Sequence, residues 1–136
     1  MKRIWFTIVL WGSKFGLFLC RLLGKNGTYI AGAFALKLQK DFITHFTHVD
    51  PERTLFITGT NGKTTTTTLI SEFMKNSFDN VYLGGNIGIP LSNFVRDIKP
   101  NSYLVLEISD HQLCDMYNFK TNVSVLTNIT PTHLDF

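Results

Sequence analysis

The feature that most constrains this chain is a glycine-containing loop between a strand pattern and a helix pattern. Apolar and β-branched residues over 54–57 predict a buried strand, and apolar residues at helical spacing over 66–74 predict a helix. Between them lies the loop Thr58-Gly59-Thr60-Asn61-Gly62-Lys63-Thr64-Thr65. Glycines let backbone N–H groups turn inward, and a helix N-terminus adds unpaired donors with a partial positive charge. The stretch therefore predicts a phosphate-binding loop.

Two side chains in this loop suit nucleotide phosphates. Lys63 can reach the terminal phosphates, and the Thr64 hydroxyl can ligate Mg²⁺. The common pattern G-x-x-x-x-G-K-[ST] would place a glycine at position 57, where this chain has Ile57, so the loop is shorter. On the loop alone, a Gly/Thr-rich turn that happens to contain a lysine stays open as the alternative.

The shortened loop resembles the nucleotide-binding signature of the Mur ligase superfamily, ATP-dependent enzymes that join a carboxylate to an amine, mostly in peptidoglycan synthesis. The resemblance implies ATP and Mg²⁺ as cofactors. It also implies nucleotide contacts from the whole loop, namely Gly59, Thr60, Asn61, Gly62, Lys63, Thr64 and Thr65.

Three further apolar runs predict strands near 81–84, 103–108 and 123–127, joined by helices. This order predicts an α/β fold, a parallel sheet with helical crossovers. The polar stretch after each strand then lies at one edge of the sheet. The resemblance implies that residues 54–136 are a truncated central, P-loop-containing domain of a Mur ligase, because the family's domain has more strands.

The second of these stretches is Gly84-Gly85-Asn86-Ile87-Gly88-Ile89-Pro90. Taken alone it is equally well a plain turn. It resembles the corresponding stretch of the UDP-N-acetylmuramoyl-L-alanine:D-glutamate ligases, the D-glutamate-adding branch of the superfamily. That resemblance implies that Asn86 lies at the substrate and phosphate site.

A carboxylate, Glu107, ends the third strand, and a buried carboxylate needs a partner. Mg²⁺ shared with Thr64 would be one such partner, and exposure at the strand end is the alternative. The surrounding stretch resembles the same branch over Leu106-Glu107-Ile108-Ser109-Asp110-His111-Gln112-Leu113. This implies a substrate or phosphate contact for Ser109. Asp110 and His111 replace a serine and an aromatic residue of the family, so we expect the acceptor contacts to differ.

The fourth stretch is Asn128-Ile129-Thr130-Pro131-Thr132-His133-Leu134-Asp135. It resembles the family's Asn-x-x-x-Asp-His-x-Asp, with Thr132 in place of the first aspartate. The resemblance implies a nucleotide contact for Asn128. It implies a second Mg²⁺ on His133, shared with a carbamylated lysine further along the family's chain.

Residues 1–25 predict an amphipathic helix that precedes the nucleotide domain. On a helical wheel, five polar residues fall within roughly 40° of one another on an otherwise apolar helix: Arg3, Thr7, Lys14, Arg21 and Lys25. A helix that spans a membrane would not need such a stripe. A signal peptide would end in a cleavage site of small residues, and none is evident near residue 20. Two interpretations stay open: peripheral contact with a membrane interface, or packing on protein.

Composition limits the remaining classes of function. The 136 residues make one domain or a piece of one, and a net charge of +3 suits phosphorylated ligands but is too small to indicate nucleic acid. The two cysteines are unclustered and indicate no zinc site. The lead-in over 1–53 resembles the ligase-like subunit of lipid II isoglutaminyl synthase, which also lacks a full UDP-binding domain.

The resemblance implies carboxylate activation by ATP to an acyl phosphate, which an amine attacks to form an amide. Lys63, Glu107 and His133 would be catalytic, and the substrate a UDP- or lipid-linked muramoyl carboxylate in the cytoplasm, or at the inner face of the membrane. We expect the chain alone to be inactive, with a partner chain or further residues completing the sheet. Two alternatives stay open: a subunit of a lipid II amidotransferase, and a non-enzymatic nucleotide-binding remnant.

Overall fold

The computed structural model describes residues 2–24, 35, 37–40, 42–46 and 49–131. Its first element is the helix α1 (Lys2–Leu22), and two 3-10 turns, Phe42–His45 and Pro51–Arg53, precede the sheet. Strands and helices then alternate as β1 (Thr54–Thr58), α2 (Lys63–Lys75), β2 (Val81–Gly85), α3 (Leu91–Phe94), β3 (Tyr103–Glu107), α4 (Asp110–Cys114) and β4 (Val123–Leu126).

The four strands form one parallel sheet in the order β2-β3-β1-β4. The predicted α/β fold with a parallel sheet and helical crossovers is therefore confirmed. In the register, Glu107 lies opposite Ile57 of β1 on one side and opposite Gly85 of β2 on the other. From β1 the chain crosses past β3 to β2, whereas from β3 it crosses in the opposite direction, past β1, to β4. The strand order therefore reverses between β1 and β3, and sheets of this kind bind ligands in the crevice at the carboxyl ends of two such strands.

One face of the sheet carries the main hydrophobic core. Phe56, Leu104 and Leu106 alternate along their strands and pack with Val9 and Leu10 of α1. These side chains are all buried to at least 96%. The apolar runs that predicted the strands are thus explained by burial of the sheet beneath helices.

Helix α2 covers the other face, and small polar side chains form its most buried positions. Thr67 and Ser71 are fully buried, whereas Leu69 and Phe73 are 55% and 64% exposed. The Thr67 hydroxyl donates to the carbonyl oxygen of Lys63 at 2.7 Å, which satisfies it within the helix. Small side chains on this face let α2 lie close to the strands, while Leu69 and Phe73 face away from the sheet and Ile70 and Met74 are half-buried.

The predicted N-terminal helix is present, and one side of it packs on the domain. Val9, Leu10, Ser13 and Leu17 are buried on this side. The Ser13 and Ser92 hydroxyls lie 3.0 Å apart in a buried hydrogen bond, which ties α1 to α3. The side of α1 opposite these residues is apolar and exposed.

Candidate functional site

The corner between β1 and α2 depends on two glycines with positive φ. Gly59 has φ +126°, and a Cβ there would overlap the Thr127 hydroxyl and lie 2.8 Å from the carbonyl oxygen of Asn128. Gly62, at φ +79°, stands at the N-cap of α2, where no described side chain caps the helix. The first N–H groups of α2 are therefore available to an anion, as a phosphate-binding loop requires.

Lys63 lies folded across this loop. Its Nζ donates to the carbonyl oxygens of Gly59, at 2.7 Å, and Thr60, at 3.0 Å. The ammonium group is thus held at the mouth of the loop, beside the N-terminus of α2. A phosphate bound there would compete with the two carbonyl oxygens for the same three ammonium protons.

Side chains that follow three different strands meet at Glu107. Its Oε2 accepts a hydrogen bond from the Thr64 hydroxyl at 2.7 Å, and its Oε1 accepts one from Asn86 Nδ2 at 3.3 Å. Glu107 is only 3% exposed, so these donors offset part of the cost of burying the carboxylate. The carboxylate therefore lies directly beside the phosphate loop.

Gly85 brings Asn86 to this carboxylate. A Cβ on Gly85, whose φ is +100°, would overlap the carbonyl oxygen of Glu107, and the Asn86 N–H donates to that same oxygen at 2.8 Å. Asn86 Oδ1 is buried and has no hydrogen-bond partner among the described residues. The Thr64 hydroxyl and the Glu107 carboxylate, 2.7 Å apart, are hard oxygen donors of the kind that Mg²⁺ prefers.

The segment after β4 holds the phosphate loop in place through Asn128. Its Nδ2 donates to the carbonyl oxygen of Asn61 at 2.9 Å, and its Oδ1 accepts from the Asn61 N–H at 3.0 Å. The Thr60 N–H donates to the backbone carbonyl of Asn128 at 3.1 Å. Both ends of the Asn128 amide are thus engaged by the loop backbone, which makes it a positioning residue in this structure.

Two threonines after β4 for which the sequence predicted no role, Thr127 and Thr130, support the same loop. The Thr127 hydroxyl lies 2.7 Å from the carbonyl oxygen of Asn61 and 3.1 Å from that of Thr58. The Thr60 hydroxyl donates to the carbonyl oxygen of Thr130 at 3.0 Å and accepts from the Thr130 N–H at 3.1 Å. Their role follows from β4 lying next to β1, which the sequence pattern alone does not reveal.

An open cleft of about 470 Å³ lies beside the loop, within the range of small-molecule sites. It is bounded by the phosphate loop, by α4 and by the segment after β4. The side chains that line it include Lys63, Asp110, Leu113 and Ile129. The cleft therefore leads from solvent to the ammonium group of Lys63.

A family model for the Mur ligase middle domain matches residues 57–136. The chain belongs to the Mur ligase family.

Several curated Mur ligases resemble the chain, and they carry the name UDP-N-acetylmuramoylalanine--D-glutamate ligase. The protein from Natranaerobius thermophilus is 47% identical over 85 residues, 62% of this chain and 18% of the relative. Those from Thermoanaerobacter sp. and Bacteroides fragilis are 51% and 53% identical over 79 residues, 58% of this chain and 17% and 18% of the relatives. The match thus spans less than a fifth of each relative's length.

In this Mur ligase domain, Ser109 is the N-cap of α4. Its hydroxyl accepts from the Gln112 N–H at 3.3 Å, and the Gln112 side chain accepts from the Ser109 N–H at 3.0 Å. The pattern S-x-x-Q readable in the sequence is the signature of this capping box. Contact of Ser109 with a substrate stays a prediction, and Asp110 is the neighbouring residue that lines the cleft.

The second metal site expected in a Mur ligase involves residues outside the described part of the chain. Thr132, His133 and Asp135 lie there, so the Mg²⁺ role of His133 stays a prediction. Within the described ranges, no group of three or more His, Cys, Asp or Glu side chains could hold a metal ion. A first Mg²⁺ would therefore be held by one carboxylate with neutral oxygens and, in addition, by the phosphate oxygens themselves.

Proposed function

We propose that this chain is the nucleotide-binding part of an ATP-dependent ligase that forms an amide bond in peptidoglycan precursor synthesis. The observation that carries the proposal is the contact between the Thr64 hydroxyl and the Glu107 carboxylate at 2.7 Å, directly beside Lys63. A cation ligand, a phosphate-binding lysine and the start of a helix together suit an Mg²⁺-nucleotide. The names of the curated relatives support this reaction class.

The proposed reaction transfers the γ-phosphoryl group of ATP to a substrate carboxylate, and an amine then displaces phosphate from the acyl phosphate. The amine loses its proton and the phosphate leaves with the electron pair of the broken C–O bond. Thr64 and Glu107 would hold Mg²⁺ beside the phosphates, where its positive charge would offset the negative charge that develops on the phosphate oxygens. The protein contributes alignment and electrostatic stabilisation and forms no covalent bond to the substrate.

Each residue of the site has a part in this proposal. Lys63 would leave the carbonyl oxygens of its own loop and neutralise the transferring phosphoryl group. Thr64 and Glu107 would hold Mg²⁺, Asn86 would contact substrate or phosphate, and the N–H groups at the start of α2 would hold phosphate oxygens. Asn128 would act indirectly, by fixing the loop from which those donors project.

The proposed substrate is a muramoyl carboxylate, UDP-linked or lipid-linked, and the proposed acceptor is D-glutamate. The acceptor is taken from the names of the relatives, which are about half identical in the matched stretch. Ammonia is the alternative acceptor. Asp110, which lines the cleft, and His111 replace a serine and an aromatic residue of the family, and a change in these contacts would alter which amine is accepted. We propose a cytoplasmic location, because ATP and nucleotide-linked precursors are cytoplasmic.

The test is ADP release by the full protein, measured with Mg²⁺-ATP, UDP-N-acetylmuramoyl-alanine and either D-glutamate or ammonia. We expect release over many turnovers only when both the carboxylate and one of the amines are present, because without an amine at most one ADP per enzyme forms with the acyl phosphate. Thr64→Ala removes the proposed metal ligand, and we expect turnover to fall by roughly a hundredfold, as when a transition-state contact is lost. Thr64→Ser keeps the hydroxyl and should retain most of the activity.

Two results would contradict the proposal. ADP release that does not depend on any amine would indicate a nucleotide hydrolase. Equal activity of the Thr64→Ala and Thr64→Ser proteins would show that the hydroxyl has no role in holding Mg²⁺.

A further inference from the structure

Helix α1 has two apolar sides, and the residues that the structure describes cover only one of them. The inner side carries Val9, Leu10 and Leu17, all at most 3% exposed. With about 100° per residue, a second set of apolar side chains falls across the helix axis from these. This set, the outer face of α1, is between 50% and 67% exposed and includes Trp5, Ile8, Trp11, Phe15, Phe18 and Leu22.

An outer face of this kind is unusual on a helix of a domain in water, where the side opposite the core is normally polar. By length and composition alone, Ile4–Leu22 could cross a membrane. The packing of its inner side argues against crossing. Val9 and Leu10 belong to the main core, and the buried Ser13–Ser92 hydrogen bond would break if the helix left the domain. The helix therefore presents its outer face while it stays attached to the domain.

The charge around the outer face has one sign. The first 40 residues contain seven Lys or Arg residues and no Asp or Glu. Lys14 and Arg21 belong to the polar stripe that separates the inner side from the outer face. Arg21 is exposed, and Lys14 Nζ reaches the carbonyl oxygen of Asn93 at 3.4 Å. A basic border along an apolar face is complementary to a surface that is apolar inside and negatively charged at its rim.

We propose that the outer face of α1 docks on the surface of an anionic lipid bilayer, with the helix lying in the membrane plane. The two tryptophans of the chain, Trp5 and Trp11, both lie on this face, and indole rings favour the interface between head groups and acyl chains. Arg21 and its basic neighbours contact the head groups. The inference does not depend on nucleotide binding, and it places the phosphate loop on a domain held close to the membrane.

The first test uses the intrinsic fluorescence of the full chain. In solution we expect emission typical of exposed indole and efficient quenching by iodide, since Trp5 and Trp11 are 50% and 61% exposed. Vesicles of mixed phosphatidylglycerol and phosphatidylcholine should shift the emission to shorter wavelength and protect it from iodide. Vesicles of phosphatidylcholine alone should do so on the order of tenfold less effectively, because the basic residues lose their partners.

A flotation assay with matched variants locates the contact. Ile8→Ser/Phe15→Ser removes two outer-face side chains and keeps both tryptophans, and we expect its flotation with the mixed vesicles to fall at least about tenfold. The control Leu69→Ser/Phe73→Ser changes side chains of similar exposure on α2, 55% and 64%, and should float like the parent. Arg21→Glu should weaken flotation and make it less sensitive to added salt, since six of the seven basic residues remain.

Three results would overturn the proposal. Emission that is already shifted and iodide-protected without vesicles would mean that protein covers the outer face, from this chain or a second copy. Failure of the unaltered chain to float with either vesicle would remove the bilayer as the occupant. Resistance of the cell-membrane-bound protein to alkaline carbonate would indicate a spanning helix in place of in-plane docking.

Discussion

Glu107, at the end of β3, is contacted by one side chain that follows β1 and by one that follows β2. The carboxylate is 3% exposed and accepts from Thr64 and Asn86, so its negative charge is fixed beside the phosphate loop. The sequence predicted that this residue would need a partner, because a charge at the end of a buried strand is costly. The identity of its partners followed from which strands are neighbours, and no local pattern carries that information.

We expect Glu107→Gln to retain the shape of the site and lose the charge that favours Mg²⁺. Affinity for Mg²⁺-ATP should fall by roughly tenfold or more, while affinity for ATP without metal should change little. Titration calorimetry with and without Mg²⁺ measures both. Glu72→Gln, which changes an exposed carboxylate paired with Lys75 on α2, is the matched control and should behave like the parent. Equal losses with and without Mg²⁺ would contradict a metal role.

We expect Asn128→Ala to loosen the phosphate loop, because it removes both side-chain hydrogen bonds to Asn61. The free energy of unfolding should fall by about 1 kcal/mol, and the KM for ATP should rise more than kcat falls. Asn122→Ala, at an exposed site just before β4, is the control and should leave both values unchanged. An unchanged KM in the Asn128 variant would remove its positioning role.

At the scale of elements, the sequence predicted the strands and the crossover pattern well, because each buried strand is a short apolar run. It did not predict the order β2-β3-β1-β4, which is set by long-range pairing. For that reason the sequence did not indicate that Asn128, Thr127 and Thr130 hold the phosphate loop in place, and the nucleotide contact of Asn128 stays a prediction. The apolar spacing over 66–74 predicted the helix α2 correctly, but it does not show that Thr67 and Ser71 form the most buried positions.

The turn after β2 provides a prediction at the same scale. Gly85→Ala should destabilise the domain by at least about 2 kcal/mol, because φ is +100° and the new Cβ would overlap the carbonyl oxygen of Glu107. The comparison is Gly16→Ala, because Gly16 lies within α1 and a Cβ added there would have no atom within 4 Å. It should stabilise the protein by up to about 1 kcal/mol. Denaturant unfolding compares the two, and similar effects would contradict the conformation assigned to Gly85.

For the whole molecule, the β4 edge of the sheet is the open side. Val123 and Leu126 are 54% and 55% exposed, in contrast to the buried residues of β3, and β4 pairs only with β1 among the described strands. Exposed apolar edges normally pair or are covered in a finished domain. We therefore expect the 136-residue chain to bind nucleotide weakly and to form no amide bond. Detection of amide product with the purified chain would contradict this expectation.

The most direct test of the account is titration of this chain with Mg²⁺-ATP, comparing the parent with Lys63→Ala and Lys75→Ala. Both lysines lie on α2, but only Lys63 reaches the phosphate loop, whereas Lys75 pairs with Glu72 at 2.7 Å. We predict binding that Mg²⁺ strengthens, at least about a tenfold loss with Lys63→Ala, and no loss with Lys75→Ala. Equal binding by the parent and the Lys63 variant would contradict the assignment of the phosphate loop.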